Sequence, residues 1–176
     1  MSAVPQSRLF ILRHAHSSWA LPGERDHQRA LDERGRADAI RLERHLREED
    51  WGVDAVSSST ATRATETLDL VRPALAAGTP EHFSDALYAL GVDAYFAETR
   101  RLGDATALLL IGHNPMVEEF TISLAGSGDE EALATLRNGF PTCGLATVEF
   151  STPLAEVTPG AGVLRRLLVP ADFARG

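Results

Sequence analysis

Two arginines and two histidines follow short apolar runs in this chain, and each has a side chain able to handle phosphate. Arg13-His14 comes directly after Arg8-Leu9-Phe10-Ile11-Leu12, and His113 comes after the apolar stretch from Thr106 to Ile111. Arg63 lies just beyond Val53 to Val56 and the polar Ser57-Ser58-Ser59-Thr60. A guanidinium offers a rigid fork of donors that suits phosphate oxygens. A neutral imidazole has a lone pair that can attack phosphorus, and a second imidazole can donate a hydrogen bond or carry charge. Any one of these residues alone could be a capping or salt-bridge residue; their joint placement describes a phosphoryl pocket built around a histidine nucleophile. Ser17, Ser59 and Thr142 stand at loop positions nearby, where a hydroxyl contacts phosphate or caps a turn; phosphate contact is expected for Ser17.

The pocket needs a scaffold that gathers these positions. In open α/β sheets ligands bind beyond the carboxyl ends of the strands, where loops converge. Residues 8–12 read as a buried first strand discharging into the Arg13-His14 loop. Between Leu31 and Glu49, Ala37, Ile40, Leu42 and Leu46 recur at helical spacing, which predicts an amphipathic helix. Val53 to Val56 reads as a second strand that stops at Ser57, and Ala61 to Ala77 as a helix ended by Gly78. Thr106 to Ile111 is a third strand, followed by Asn114 as N-cap and Pro115 as first residue of a helix through Leu124. Leu145 to Phe150 and Val163 to Val169 complete the strands. This alternation predicts one α/β domain over residues 1–176, a three-layer α/β/α sandwich around a mostly parallel sheet.

Composition removes several alternatives. The chain has 176 residues, 44% hydrophobic and 24% charged, enough for one domain with its own core. All 17 basic residues are arginine, so no P-loop or Schiff-base lysine exists. A formal charge of −8 argues against nucleic-acid or anionic-membrane binding and requires any anion site to be local. The single cysteine, Cys143, forms no internal disulfide and is expected to pack as a small apolar residue. The opening Met1-Ser2-Ala3-Val4-Pro5-Gln6-Ser7-Arg8 has no signal-peptide apolar region, and no run reaches the roughly 18 to 20 apolar residues of a membrane span; a cytoplasmic protein is expected.

Leu12-Arg13-His14-Ala15-His16-Ser17-Ser18-Trp19 resembles the signature loop of the histidine phosphatase superfamily, in the Arg-His-Ala form of the SixA-type phosphohistidine phosphatases. Further blocks resemble that branch in order: Asp26-His27-Gln28-Arg29-Ala30-Leu31 with Arg34-Gly35-Arg36, Ser57 through Thr67, Leu87-Tyr88, Gly112-His113-Asn114-Pro115 and Phe140-Pro141-Thr142. The similarity covers essentially the whole chain. It implies a phosphoglycerate mutase-like fold and a phosphatase that needs no cofactor or metal. His14 would be the nucleophile, with Arg13, Arg63 and His113 binding the phosphoryl oxygens. The substrate implied is phosphohistidine in a protein partner; a small phosphate ester and a noncatalytic phosphate-binding module are the alternatives. Activity is expected to fall on acidification as His14 titrates.

Other positions carry further expectations. The superfamily's commoner glycine is replaced by Ala15, which predicts an ordinary backbone there. Asp85, three residues before Tyr88, is the candidate general acid, with Glu81 second. His16 and His14, two apart, are expected to point to opposite sides and so not to form a metal pair. Arg29, Asp32 and Arg34 could line the rim of the pocket, but as charges leading into an amphipathic helix they are expected on a solvated face, and Trp19 and Trp51 in packing. Only 49 residues separate Arg63 from His113, which leaves little chain for a lid and predicts an open, shallow site.

Overall fold

Successive residues of the two central strands divide between two cores. In β1 (Ser7–Arg13) and β4 (Ala107–Gly112), Leu9, Ile11, Leu108 and Leu110 enter one apolar cluster, while Phe10, Leu12, Leu109 and Ile111 enter the other. That alternation is the period of a strand, and apolar residues on both faces require helices on both sides. The structure is a computed structural model describing residues 4–174; Met1–Ala3, where the N-terminal segment read above begins, and the last two residues lie outside the described residues.

One core receives α1 (Glu33–Arg47), α2 (Thr62–Val71) and the short α7 (Pro170–Phe173). The other receives α3 (Ala86–Ala89), α4 (Val92–Arg101), α5 (Met116–Leu124) and α6 (Glu130–Arg137). Between them lies a seven-stranded sheet that adds β2 (Ala55–Ser59), β3 (Glu81–Ser84), β5 (Ala125–Gly128), β6 (Leu145–Phe150) and β7 (Gly162–Leu168). The order is β3-β2-β4-β1-β6-β7-β5; β6 runs antiparallel to both of its neighbours and the remaining pairs are parallel. This is the mostly parallel three-layer architecture expected from the sequence.

The order matters for function because β2, β4 and β1 are adjacent and parallel. Their carboxyl ends open on the same edge, and the register places Arg13 beside Gly112, so His14 and His113 leave the sheet side by side. The loop entering antiparallel β6 arrives at that edge too.

Several boundaries differ from those read off the sequence. β2 continues through Ser57, Ser58 and Ser59, all fully buried, because it lies between β3 and β4 and its hydroxyls find partners inside. Ser57 Oγ donates to Glu98 Oε1 at 2.7 Å, and Ser58 Oγ to the Ser59 carbonyl at 2.9 Å. In α1, Ile40 is exposed; the buried stripe runs through Gly35, Ala39, Leu42 and Leu46, one face of a 3.6-residue period. α2 ends at Val71 in a 3-10 turn, Arg72–Ala74, that contains Pro73, which cannot continue an α-helix. α5 begins one residue later than expected: the Asn114-Pro115 bond is cis and Pro115 precedes the first helical residue, although Asn114 Oδ1 still accepts from the Glu118 N–H at 3.3 Å. β3, β5, α3, α4 and α6 had no assignment from the sequence.

Candidate active site

His14 is the first residue past β1. Its backbone N–H donates to the Gly112 carbonyl at 3.1 Å, which ties it to the end of β4. Its ring Nδ1 lies 2.7 Å from the Ala15 carbonyl. A carbonyl only accepts, so Nδ1 carries the proton and Nε2 keeps its lone pair. Ala15 has no positive φ; among the described non-glycine residues that conformation belongs to Cys143, at φ 61. There the Cys143 N–H donates to both the Arg13 and His14 carbonyls, at 3.0 and 3.1 Å, pinning the signature loop from the β6 side. The cysteine is fully buried, and burial pushes its thiol up.

Three cationic or donor groups surround this imidazole. Arg13 Nη1 donates to the Phe140 carbonyl at 2.8 Å. Arg63, in the first turn of α2, is clamped by Asp26: Nη1 donates to the Asp26 carbonyl at 2.8 Å and Nη2 to Oδ2 at 3.2 Å. Tyr88 donates its hydroxyl to the same Oδ2 at 2.8 Å. His113 stacks obliquely on His14 with ring centroids 5.0 Å apart. Ser59 Oγ accepts the Ala61 N–H at 3.2 Å, which leaves its own proton for His113 Nε2 at 2.7 Å. With Ser59 donating to Nε2, the His113 proton stands on Nδ1.

Four buried donors on the cleft's residues make no hydrogen bond; Arg29 Nε is still ion-paired with Asp26 Oδ1 at 3.0 Å, which leaves Arg13 Nε, Arg63 Nε and His113 Nδ1 with no partner of either kind. Buried donors are rarely left unmet, because an unpaired one costs about 1–3 kcal/mol. Three of them on the lining of one cleft constitute a site shaped for an anion. Burial lowers both imidazoles to about 3: for His14 the Ala15 hydrogen bond opposes this and the Arg63, Arg13 and Arg29 cations add to it, and for His113 the neighbouring His14 and Arg63 contribute next. Both are neutral at pH 7. The acid fall expected from the sequence accordingly moves away from the ordinary histidine range near 6.5.

The cleft has a volume of about 560 Å³ and is lined by Arg13, His14, Ser17, Arg63, His113 and Thr142, together with residues the sequence did not assign to it. His16 lines it beside His14, contrary to expectation, since residues two apart on an extended segment share a side. Arg29 and Asp32 line it and are not merely part of a solvated face, whereas Arg34 stays outside and lies 4.0 Å from Asp38. Trp19 lines it while 90% exposed, so it is a rim residue and not a packing one; Trp51 packs edge-on against Phe10 as expected. Between Arg63 and His113, Tyr88 stands against the site, its ring centroid 5.6 Å from that of His113 and 5.9 Å from Arg63 Cζ. Asp85 lies outside the lining and accepts from Thr60 Oγ1 at 2.5 Å. Glu81 sits at the opposite end of β3, paired with Arg72 at 2.6 Å. Among the described residues no three His, Cys, Asp or Glu side chains cluster to hold a metal, and no helix is long and apolar enough to cross a membrane.

Comparison with known proteins gives this geometry a family. The profile of the histidine phosphatase superfamily (branch 1) matches residues 9–88. A solved structure from Agrobacterium tumefaciens designated a phosphohistidine phosphatase SixA is 31% identical, covers 96% of this chain and 100% of its own, and superposes with a TM-score of 0.80. The chain belongs to the histidine phosphatase superfamily. An uncharacterised protein of Mycobacterium tuberculosis is 36% identical to this histidine phosphatase over 162 residues, 90% of this chain and 99% of its own. The protein histidine phosphatase SixA solved with tungstate shares the fold of this histidine phosphatase, with a TM-score of 0.75 at 21% identity over 94% of this chain and 98% of that one.

Proposed function

We propose that this phosphatase removes the phosphoryl group from phosphohistidine in a protein partner by way of a covalent intermediate on His14. The observation that carries the reading is the trio of buried, partnerless donors, Arg13 Nε, Arg63 Nε and His113 Nδ1, lining a cleft with an imidazole whose Nε2 lone pair is free. His14 Nε2 forms a bond to phosphorus as the bond from phosphorus to the substrate nitrogen breaks with its electron pair. Water then attacks phosphorus, the pair returns to Nε2, and phosphate leaves. The loose transition state of phosphoryl transfer asks chiefly for positioning and charge neutralisation, which the arginines and His113 supply. Ser17, also on the lining, adds a hydroxyl for a phosphoryl oxygen.

Two features favour a substrate presented by another protein. The segment between Arg63 and His113 brings Tyr88 against both of those residues but adds nothing to the lining of the cleft, so the phosphoryl site is reached from outside. At the rim, Trp19 is 90% exposed, which gives a docking partner an apolar surface beside the cleft. The similarity to the Agrobacterium protein designated SixA supports the same substrate class.

The test compares a phosphohistidine-bearing protein with a panel of small phosphate esters. A kcat/KM at least tenfold higher for the phosphoprotein supports the reading, whereas a higher value for a metabolite ester would replace it with a small-molecule phosphatase.

A further inference from the structure

Departure of the leaving group calls for a proton, and both carboxylates put forward from the sequence are engaged elsewhere: Asp85 with Thr60, and Glu81 with Arg72. Two residues of the lining form an imidazole–carboxylate pair instead. His16 Nδ1 lies 2.5 Å from Asp32 Oδ2. The second Asp32 oxygen, Oδ1, accepts the Gly35 N–H at 2.8 Å as the cap of α1. The backbone locks the same junction: the Asp32 N–H donates to the His16 carbonyl at 3.2 Å, and a Cβ on Gly35 would lie 2.0 Å from that oxygen. The loop bearing His16 and the start of α1 are thus one unit.

The carboxylate accepts from Nδ1, so Nε2 is the nitrogen left to work, and it has no hydrogen-bond partner among the described residues. The His16 side chain is 37% exposed, which lets it exchange protons with water while lining the cleft that holds His14. Burial opposes the charge of Asp32, but hydrogen bonds from Gly35 and His16 hold its carboxyl below the usual range, so the partner of His16 is an anion. A carboxylate behind an imidazole fixes the tautomer and the orientation of the ring.

We propose that His16 is the proton donor to the leaving group and that Asp32 is its positioning residue; the proposal rests on the reading of the cleft as a phosphoryl-transfer site centred on His14. As the bond from phosphorus to the departing oxygen or nitrogen breaks, that atom keeps the electron pair and takes the proton from Nε2 of the His16 imidazolium. Neutral His16 then accepts a proton from the water whose oxygen displaces His14 from phosphorus, which restores the imidazolium and releases phosphate. A donor in place extends the chemistry from N–P bonds to O–P esters, whose alkoxide or phenoxide leaving groups need protonation most.

The experiment compares phenyl phosphate with p-nitrophenyl phosphate, similar in shape but unequal in leaving-group basicity, using wild-type protein, His16→Gln and Asp32→Asn. Asparagine retains a capping oxygen for Gly35, and thermal unfolding confirms that each variant folds. For His16→Gln we expect kcat/KM on phenyl phosphate to fall about 100-fold and on p-nitrophenyl phosphate less than about threefold. Asp32→Asn should show the same pattern with a smaller loss. Equal losses on the two esters, or none, would overturn the proposal, as would a wild type that cleaves phosphohistidine but neither ester. A wild type inert towards all three would instead overturn the underlying reading of the site.

Discussion

His14, the proposed nucleophile, stays uncharged because it is nearly sealed from water and faces three arginines, so its proton is held far more weakly than in a free imidazole. Titration of its ring followed by NMR should show no protonation as pH falls through 6.5, the change coming only near about 3; a midpoint close to 6.5 would refute the burial argument. Arg63 is aimed by Asp26, so Arg63→Ala should weaken inhibition by inorganic phosphate and lower kcat/KM about 100-fold, while Asp26→Ala, which leaves the guanidinium present but unclamped, should cost less. Phosphate inhibition unchanged in Arg63→Ala would remove the arginine from the anion site. That Arg13, His14, Arg63 and His113 share one cleft was legible in the sequence because each comes after a recognisable strand. His16, two residues from His14 on an extended segment, could have been placed beside it, whereas the place of Asp32 and Trp19 depends on which side of an irregular loop faces the cleft.

At the level of elements, the site depends on α4 as well as on the strands. Tyr95 of α4 accepts the His113 backbone N–H at 3.1 Å and donates to the Leu87 carbonyl at 2.8 Å, and a Cβ on Gly112 would lie 2.2 Å from its hydroxyl. Tyr95→Phe leaves a buried N–H and a buried carbonyl unmet, so urea denaturation should show a loss of about 1–3 kcal/mol together with lower activity. Unchanged stability would mean that Tyr95 does not anchor the end of β4. The spacing of Val92, Tyr95, Phe96 and Leu102 is a helical signal that could have found this helix, but nothing in the local sequence announced its contact with His113. The central strands were legible because β1 and β4 are continuous apolar runs, whereas β3 pairs only with β2 and β5 reads Ala-Gly-Ser-Gly, so these edge strands lack the apolar signal. The serines of β2 hid its length: a polar run signals a loop unless its hydroxyls are met inside, and that depends on Glu98 of α4 and His113 beyond β4.

For the molecule as a whole, the two buried imidazoles make stability depend on pH. Their folded values lie near 3 against about 6.5 in an unfolded chain, so between those limits the unfolded state binds protons that the native state refuses. Stability is complete above about 6.5 and declines as pH falls toward 3. Denaturation at pH 7 and pH 5 should differ by up to about 2 kcal/mol per imidazole, and equal values would contradict the linkage. The formal charge of −8 is offset locally by Arg13, Arg29 and Arg63 on the cleft, the place proposed for the anion on an otherwise repulsive surface. All of this converges on one atom, the Nε2 of His14. Rapid quenching during turnover of a phosphohistidine-bearing protein, followed by peptide mapping under alkaline conditions, tests it directly. An acid-labile phosphoryl group on the peptide containing His14, absent in His14→Ala together with activity, is the predicted result; turnover with the phosphoryl group on another residue, or undiminished in His14→Ala, would contradict it.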